Sequence, residues 1–370
     1  MKTSTRYDII KKFKATTNDK IILALEEKGF CVGLLKDGTT VKKEARNIKE
    51  FLEVTKETTV NWIDYIVEDL KKDTIDAATS MGFSQGLVNN LLKNKRSGYE
   101  DFDTEMGMLI PAIIVEGFNV KLDPLLILIK KDLVLTLHST EAKRFFRIRR
   151  YAETFIRKIK INAPSKDKVT TILIRILDEN NGRNFDHLRE IEENADKMSG
   201  KLADPKTPRE LIGTEIHQMK HALITYLSGL WAVVDVINAL RYGDAELLSD
   251  DHRLLGRLSG LASEVNNHIG LAEHMSEVLA SGLEVLQSIY NNQLQVLNNK
   301  MALLVAYLTI LGTAVLVPNT LATVLGNNVY GLGPKDAWWF TPLMILSTIL
   351  STIGAYLWVR SRDLLPHKVD

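Results

Sequence analysis

Two long stretches without a charged residue, close together near the C-terminus, constrain the fold of this 370-residue chain more than any other feature. The first runs from Met301 to Pro334 and the second from Ala337 to Val359. About 20 apolar residues in a helix cross a bilayer core, and both runs are long enough. Aromatic residues stand at both margins of the second run, as is typical of a membrane interface: Trp338, Trp339, Tyr356 and Trp358. We predict transmembrane helices at 301–325 and 338–359, joined by an external loop at 326–337. The alternative is a buried helical hairpin in a soluble protein.

The charges around these runs predict which side of the membrane the chain ends occupy. Lys300, Arg360, Arg362 and Lys368 flank the outer margins, whereas the loop carries only Lys335. Loops rich in Lys and Arg stay in the cytoplasm. We therefore expect a multi-pass protein of the cell (inner or plasma) membrane with both termini cytoplasmic and a tail at 360–370. The N-terminus has no apolar stretch that resembles a signal peptide, which agrees with this orientation.

The part of the chain before the membrane runs is charge-rich but balanced, with 43 basic and 43 acidic residues over positions 1–300. This balance gives no basic surface for nucleic acid. We find no Gly-rich phosphate loop and no nucleophilic constellation, so we do not expect an enzyme. Residues 1–160 alternate β-rich runs with short helical stretches, which predicts an α/β domain. The β-rich runs begin at Lys20, Gly29, Thr40, Thr59, Met106, Leu125 and Leu133, and the helical stretches lie near 48–55, 74–81 and 85–92.

Residues 161–300 have the pattern of long helices. A helical segment is predicted from about Lys166 to Gly200, and a second helix from Pro208 to about Arg241. From Ser249 onwards, apolar residues recur every three or four positions into the first membrane run, which predicts one stalk helix of about 70 residues. Such a narrow apolar stripe on so long a helix favours packing against other stalks.

The first membrane run is also unusual for a simple anchor, because it carries several threonines and Asn319 beside Pro318. Polar groups at membrane depth face protein or a water-filled path. For the threonines, helix packing through small residues and hydroxyls is an open alternative. For Asn319 we favour a polar path. Two helices cannot enclose a pore, so a channel requires an oligomer.

Several short motifs resemble those of the CorA divalent-cation channel family, in the same order and over nearly the whole chain. They are Asn61–Asp64, Leu135–His138, Trp231–Asp244, Asn298–Ile310 and Pro318–Asn328. The resemblance implies an α+β membrane protein with a cytoplasmic α/β domain, a long helical stalk and two C-terminal transmembrane helices, assembled as a funnel-shaped homopentamer. The partners expected are copies of the same chain and the lipid bilayer.

The resemblance further implies a channel that transports Mg²⁺ first and Co²⁺ or Ni²⁺ as further substrates. The divalent cation is the transported ion and a gating ligand, and no cofactor is expected. Two alternatives stay open: a zinc transporter like the ZntB branch, and a non-conducting membrane scaffold or sensor.

The family signature Gly-Met-Asn corresponds here to Gly326, Asn327 and Asn328, the predicted selectivity filter. Asn327 replaces the usual Met, as the ZntB branch also varies this residue. Helical steps back from Gly326 give the predicted pore-lining residues Leu308, Gly312, Leu316, Asn319 and Thr323. Of these, Leu308 and Leu316 are expected to gate by dewetting.

The remaining candidates lie on the cytoplasmic side. Lys300, Arg360 and Arg362 are placed at the cytoplasmic mouth, where they either repel cations or bind lipid headgroups. A regulatory metal region is predicted at Asn291, Glu284 and Asp64. By resemblance to the family, Asn291 stands where many members carry Asp. No tight metal site is predicted. The pair His217 and His221 has ligand spacing, but an exposed polar helix face is the favoured interpretation.

Overall fold

The computed structural model describes residues 27–94, 97–142, 144–203, 209–242, 245–327, 331 and 333–361. The chain divides into two compact units, one through Leu279 and one from Ala280 onwards. The described residues of the first unit form seven strands: β1 Gly29–Leu35, β2 Thr40–Ala45, β3 Thr58–Ile66, β4 Gly98–Phe102, β5 Glu105–Glu116, β6 Asn119–Lys130 and β7 Leu133–His138. The α-helices are α1 Leu52–Glu57, α2 Lys72–Ser80, α3 Gln85–Lys93, α4 Arg144–Ile156, α5 Ser165–Asn181, α6 Asn184–Ala203, α7 Arg209–Arg241, α8 His252–Leu325 and α9 Ala337–Ser361. Two short 3₁₀ helices cover Ile48–Phe51 and Pro334–Asp336.

The seven strands form one sheet in the order β2-β1-β3-β7-β6-β5-β4. The β3–β7 pair is parallel, and the other neighbours are antiparallel. Strands β5, β6 and β7 are joined by tight turns, whereas the step from β3 to β7 spans the intervening helices and strands. The first turn uses Gly38 at φ 86°, a left-handed conformation that glycine adopts readily. The prediction of an α/β domain is confirmed.

The sequence-based elements agree with the structure except at three places. The segment predicted as one helix from Lys166 to Gly200 is two helices, because α5 ends at Asn181, is capped by Gly182, and α6 begins at Asn184. Helix α4 and the short edge strand β4 were not predicted. Most of the predicted strand at Lys20 lies outside the described residues.

Helix α7 tests the membrane prediction, because it too is long and apolar. The most apolar 18-residue window of its Gly213–Arg241 segment has a mean hydropathy of 1.6, the same value as the corresponding window of the segment Pro334–Ser361, which contains α9. In α7, however, 56% of the most apolar window is buried inside the protein, against 11% in the other segment. The helix packs on β5 and β6, and Gly229 allows this close approach to Leu122 and Ile113. Helix α7 therefore belongs to the core of the first unit.

Helix α8 is a single helix of 74 residues, as the apolar stripe predicts. Its last third and α9 leave most of their apolar surface uncovered. Of the described residues from 301 to 361, only Ala306, Ala355 and Val359 are buried. In water an apolar surface of this extent is unstable, so both helices need lipid or further copies of the chain around them.

Candidate cation path

The five predicted pore-lining residues lie on the same face of α8. Leu308, Gly312, Leu316, Asn319 and Thr323 follow one another at steps of three and four residues, and the helix is uninterrupted across all of them. Leu308 is 66% exposed and Leu316 is 63% exposed, and a Cβ built on Gly312 meets no atom within 4 Å. The face is apolar at its first three positions and polar at the last two.

The threonines of this helix use their hydroxyl protons within the helix. Thr309 donates to the carbonyl of Val305, Thr313 to that of Thr309, and Thr323 to that of Asn319, at 2.7–2.8 Å. Such internal bonds make a threonine tolerable in lipid. They also leave the hydroxyl oxygen with lone pairs that can accept a further hydrogen bond. The Asn319 carboxamide, by contrast, finds no partner among the residues described here.

Helix α8 ends at a glycine that the local geometry requires. The N–H of Gly326 donates to the carbonyl of Ala322 at 2.8 Å, and a Cβ at position 326 would lie 2.7 Å from that same oxygen. Any other residue would force the last turn to shift. Asn327 follows as an exposed residue, and Asn328 lies outside the described residues.

The loop between the two helices contains one acidic residue, Asp336. Its carboxylate accepts hydrogen bonds from the N–H of Gly333 at 2.9 Å and from Nε1 of Trp339 at 3.4 Å. Asp336 thereby caps the 3₁₀ turn that precedes α9. Both carboxylate oxygens thus have partners in the loop and the first turn of α9.

A sequence model of the family described as "CorA-like Mg²⁺ transporter protein" matches residues 57–361, which is most of the chain. The chain belongs to the CorA family. The match covers the sheet from β3 onwards, the long helices and both apolar helices. As a CorA-family member it is a membrane protein.

Several solved structures have the same fold as this chain. The complete CorA magnesium transporter from Methanocaldococcus jannaschii superposes with a TM-score of 0.63 at 18% identity, over 88% of this chain and 96% of that chain. Full-length CmaX gives 0.60 at 16% identity, over 91% and 98% of the two chains. The soluble domain of the M. jannaschii CorA gives 0.54 at 18% identity, over 70% and 96%. At these identities the likeness shows the fold. No curated protein sequence matches significantly.

The residues predicted for the cytoplasmic mouth of this CorA-family chain are only partly described. Lys300 is exposed on α8 and Arg360 is exposed in the last turn of α9, whereas Arg362 lies outside the described residues. Asn291 and Glu284, from the predicted regulatory region, are exposed on α8. The described residues contain no group of three or more His, Cys, Asp or Glu placed to hold a metal ion. His217 and His221 are exposed on α7.

Asp64, the third predicted regulatory residue, is buried at 5% exposure in β3 and its carboxylate has protein partners. Thr136 on the adjacent strand β7 donates to Oδ1, and His138 Nε2 lies 3.2 Å from Oδ2. Trp62 Nε1 donates to the Thr136 hydroxyl in turn. A metal ion would have to displace these groups to reach the carboxylate.

The His138 ring is protonated more readily than an exposed histidine. Burial alone would lower its pKa, but the Asp64 charge, the hydrogen bond to Asp64 and the Ser139 carbonyl outweigh burial and raise the pKa above 6.5. Nδ1 lies 2.7 Å from that carbonyl, so both ring nitrogens face acceptors. The motifs Asn61–Asp64 and Leu135–His138, noted in the sequence as family motifs, thus meet as a buried ion pair.

Besides the pair of Asp64 and His138, the fold of the first unit brings together a group of charged residues that the sequence did not predict. A cavity of about 460 Å³ lies between the α4–α5 connection, α5 and the start of α8. Its charged lining residues are Lys158, Lys160, Asp167, Lys168, Asp251 and Arg253. They are distant in sequence and form no motif, so only the fold brings them together.

Proposed function

We propose that this CorA-family protein is a divalent-cation channel that moves Mg²⁺, with Co²⁺ or Ni²⁺ as further substrates. The observation that carries the proposal is the continuous face of α8 that ends at the required Gly326. Residues 301–325 and 338–359 are the membrane spans. The loop 326–337 lies outside the cell, and both chain ends lie in the cytoplasm.

The donor and acceptor pattern on this face suits a hydrated cation. Mg²⁺ keeps its water shell, and bound waters point their hydrogens outward. The path must therefore offer acceptors. Thr323 offers a hydroxyl oxygen whose proton is already used, and Asn319 offers a carboxamide oxygen without a described partner. Further acceptors would come from the carbonyl of Gly326 and from the side chains of Asn327 and Asn328.

These acceptors carry no full charge, so a ring of them binds a hydrated cation without trapping it. Below them, Leu308 and Leu316 would narrow the path to an apolar constriction that loses water when closed. The cytoplasmic mouth would carry three basic residues, Lys300, Arg360 and Arg362. We propose that they repel cations there, and we favour this role over binding of lipid headgroups.

The path needs several copies of the chain, because the uncovered helices of one copy cannot surround it. By resemblance to the family we propose a homopentamer in which α8 lines the axis and α9 faces lipid. The mass of the detergent-solubilised protein, measured by light scattering, tests this step. A monomer or dimer that remains active in liposomes would contradict it.

Transport is tested with purified protein in liposomes loaded with dyes sensitive to Mg²⁺, Co²⁺ or Zn²⁺. We expect Mg²⁺ to enter these liposomes faster than it enters dye-loaded liposomes that contain no protein. Entry of Zn²⁺ alone would contradict the proposal and favour the ZntB-like zinc transporter. That alternative is motivated by Asn327, which replaces the usual Met of the signature. Absence of any flux from a correctly assembled protein would favour the non-conducting scaffold.

The path itself is tested by comparing substitutions on and off the face. We expect Asn328→Ala and Asn319→Leu to abolish Mg²⁺ flux and leave the assembled mass unchanged. Thr313→Val is the matched control. Thr313 lies about 100° around the helix from Gly312, and its hydroxyl is bonded to the Thr309 carbonyl. Equal loss of flux in the control would contradict the assigned face.

A further inference from the structure

Two buried carboxamides, which the proposed cation path does not use, stand on either side of the break between α5 and α6. Asn181, the last residue of α5, is 2% exposed, and Asn184, the first residue of α6, is 1% exposed. Asn184 Nδ2 donates a hydrogen bond to Asn181 Oδ1 at 3.2 Å. This bond uses one polar atom of each carboxamide and leaves the other atom for a further partner.

The two remaining atoms of this pair are buried and unpaired. Asn181 Nδ2 and Asn184 Oδ1 have no hydrogen-bond partner among the residues that the structure describes. An unpaired polar group in the interior is unfavourable, and buried polar groups in folded proteins nearly always bond to protein or to ordered water. Both atoms therefore call for a partner.

Rotating the carboxamides does not remove this need. Turning one of them end over end places two oxygens or two nitrogens against each other and breaks the bond between Asn181 and Asn184. Turning both restores one bond in the opposite direction and again leaves one donor and one acceptor. Every orientation that keeps the bond thus has one unused donor and one unused acceptor.

Neighbouring elements hold this break in place. The hydroxyl of Tyr226 on α7 donates to the carbonyl of Asn184 at 2.7 Å, and Asn180 Nδ2 donates to the carbonyl of Pro111 in β5 at 3.1 Å. Both sides of the break are therefore tied to the rest of the first unit. The carboxamides cannot readily turn outward to reach bulk solvent.

We propose that one internal water molecule bridges Asn181 Nδ2 and Asn184 Oδ1 and completes the hydrogen bonding where β5, α5, α6 and α7 meet. Water suits this site because it accepts a hydrogen bond from Nδ2 and donates one to Oδ1. A cation would face the amide hydrogens and an anion would face the amide oxygen, so neither satisfies both atoms. Two polar partners are sufficient for an internal water.

The test is a density map of the assembled full-length protein at a resolution that shows ordered water, which does not depend on whether the protein conducts ions. We expect one peak within hydrogen-bonding distance, about 2.7–3.2 Å, of both Asn181 Nδ2 and Asn184 Oδ1. The proposal is overturned if the map shows no such peak, or if a protein atom occupies that position.

A variant gives a second measurement. Asn184→Leu removes the acceptor of the bridge, so we expect the peak to be lost from the map of this variant. The unfolding temperature should fall as well, because the Asn181 carboxamide stays buried with fewer partners. Asn162→Leu, at an exposed position before α5, is the matched control and should keep the peak. A peak that persists unchanged in Asn184→Leu would also overturn the proposal.

Discussion

At the scale of single residues, Gly326 shows how backbone geometry can hold a proposed filter position. Its N–H closes the last turn of α8, and the space where a Cβ would stand is occupied by the Ala322 carbonyl. A side chain here would displace the carbonyl groups that we propose to face the ion. The glycine predicted to begin the family signature therefore has a steric reason in this chain.

We expect Gly326→Ala to lower Mg²⁺ flux in liposomes to about a tenth or less of the wild-type rate, a change of about 1.4 kcal/mol in barrier. The reason is the 2.7 Å contact with Ala322. Gly354→Ala in α9 is the control, because a Cβ there meets nothing within 4 Å. If Gly326→Ala transported Mg²⁺ at the wild-type rate, the assignment of Gly326 to the cation path would be contradicted.

The buried pair of His138 and Asp64 gives a second prediction at this scale. Folding raises the pKa of His138, so the pair stabilises the folded state fully below the ordinary pKa of 6.5. That stabilisation is lost as the pH rises through the higher folded pKa. The unfolding temperature of the full-length protein should therefore fall as the pH rises above 6.5 and through the higher folded pKa, more than in a variant without the pair.

His138→Leu leaves the Asp64 carboxylate buried without its partner and should cost about 3–5 kcal/mol. Replacing both residues by Leu removes the two charges together. We expect this double variant to recover much of the loss and to show a flatter pH profile. A single variant as stable as the wild type would show that the pair contributes nothing.

These residues also show what sequence can reveal at this scale. Asp64 and His138 both stand in recognisable motifs, but their contact depends on the parallel pairing of β3 with β7, which connects strands about 70 residues apart. Because this contact is not visible in the sequence, Asp64 was predicted to be a carboxylate available for a regulatory metal ion. Lys168 carries no local signal, because its neighbours in the cavity come from three separate segments.

At the scale of elements, α7 shows the limit of hydropathy. Its apolar residues cover a sheet, whereas those of α9 are uncovered, although the most apolar windows of the two segments have the same mean hydropathy of 1.6. Charged residues distinguish them: Glu215, Lys220 and Asp235 interrupt α7, while α9 has none before Arg360. The continuous charge-free runs were therefore a better predictor than the average. The break between α5 and α6 was missed although the sequence signals it, because residues 178–184 contain no apolar side chain and include Gly182.

The packing of α7 on the sheet depends on Gly229. A Cβ there would lie 2.6 Å from Leu122 and 3.0 Å from Ile113. Overpacking of this kind usually costs about 1–3 kcal/mol, so Gly229→Leu should lower the unfolding temperature clearly. Gly213→Ala in the same helix meets no atom within 4 Å and should stabilise by up to about 1 kcal/mol. Equal stability of the two variants would contradict the proposed close contact.

At the scale of the whole molecule, control of the proposed channel by cytosolic Mg²⁺ is a prediction that rests on resemblance to the family. Asn291 stands where resemblance leads us to expect Asp, and it is exposed on α8 together with Glu284. A neutral carboxamide attracts Mg²⁺ less than a carboxylate does. If the protein conducts Mg²⁺ as proposed, we expect cytosolic Mg²⁺ to close it less effectively than family resemblance implies for members with the Asp.

Asn291→Asp should restore part of that control. We expect flux in liposomes to be inhibited at lower Mg²⁺ concentration on the cytoplasmic side than in the wild type. Asn292→Asp, one residue further on the same exposed helix, controls for the added charge alone. Identical inhibition curves for Asn291→Asp and the wild type would show that Asn291 is a surface residue of the stalk.

The unbroken course of α8 has a consequence for how this chain can change length during evolution. Each residue inserted into a helix turns everything after it by about 100°. One extra residue near Gly282 would thus rotate the face of Leu308 and Asn319 away from a common axis. Seven extra residues make nearly two full turns and restore the phase to within about 20°. Insertions and deletions between His252 and Lys300 should therefore be tolerated in relatives only at lengths close to whole numbers of turns.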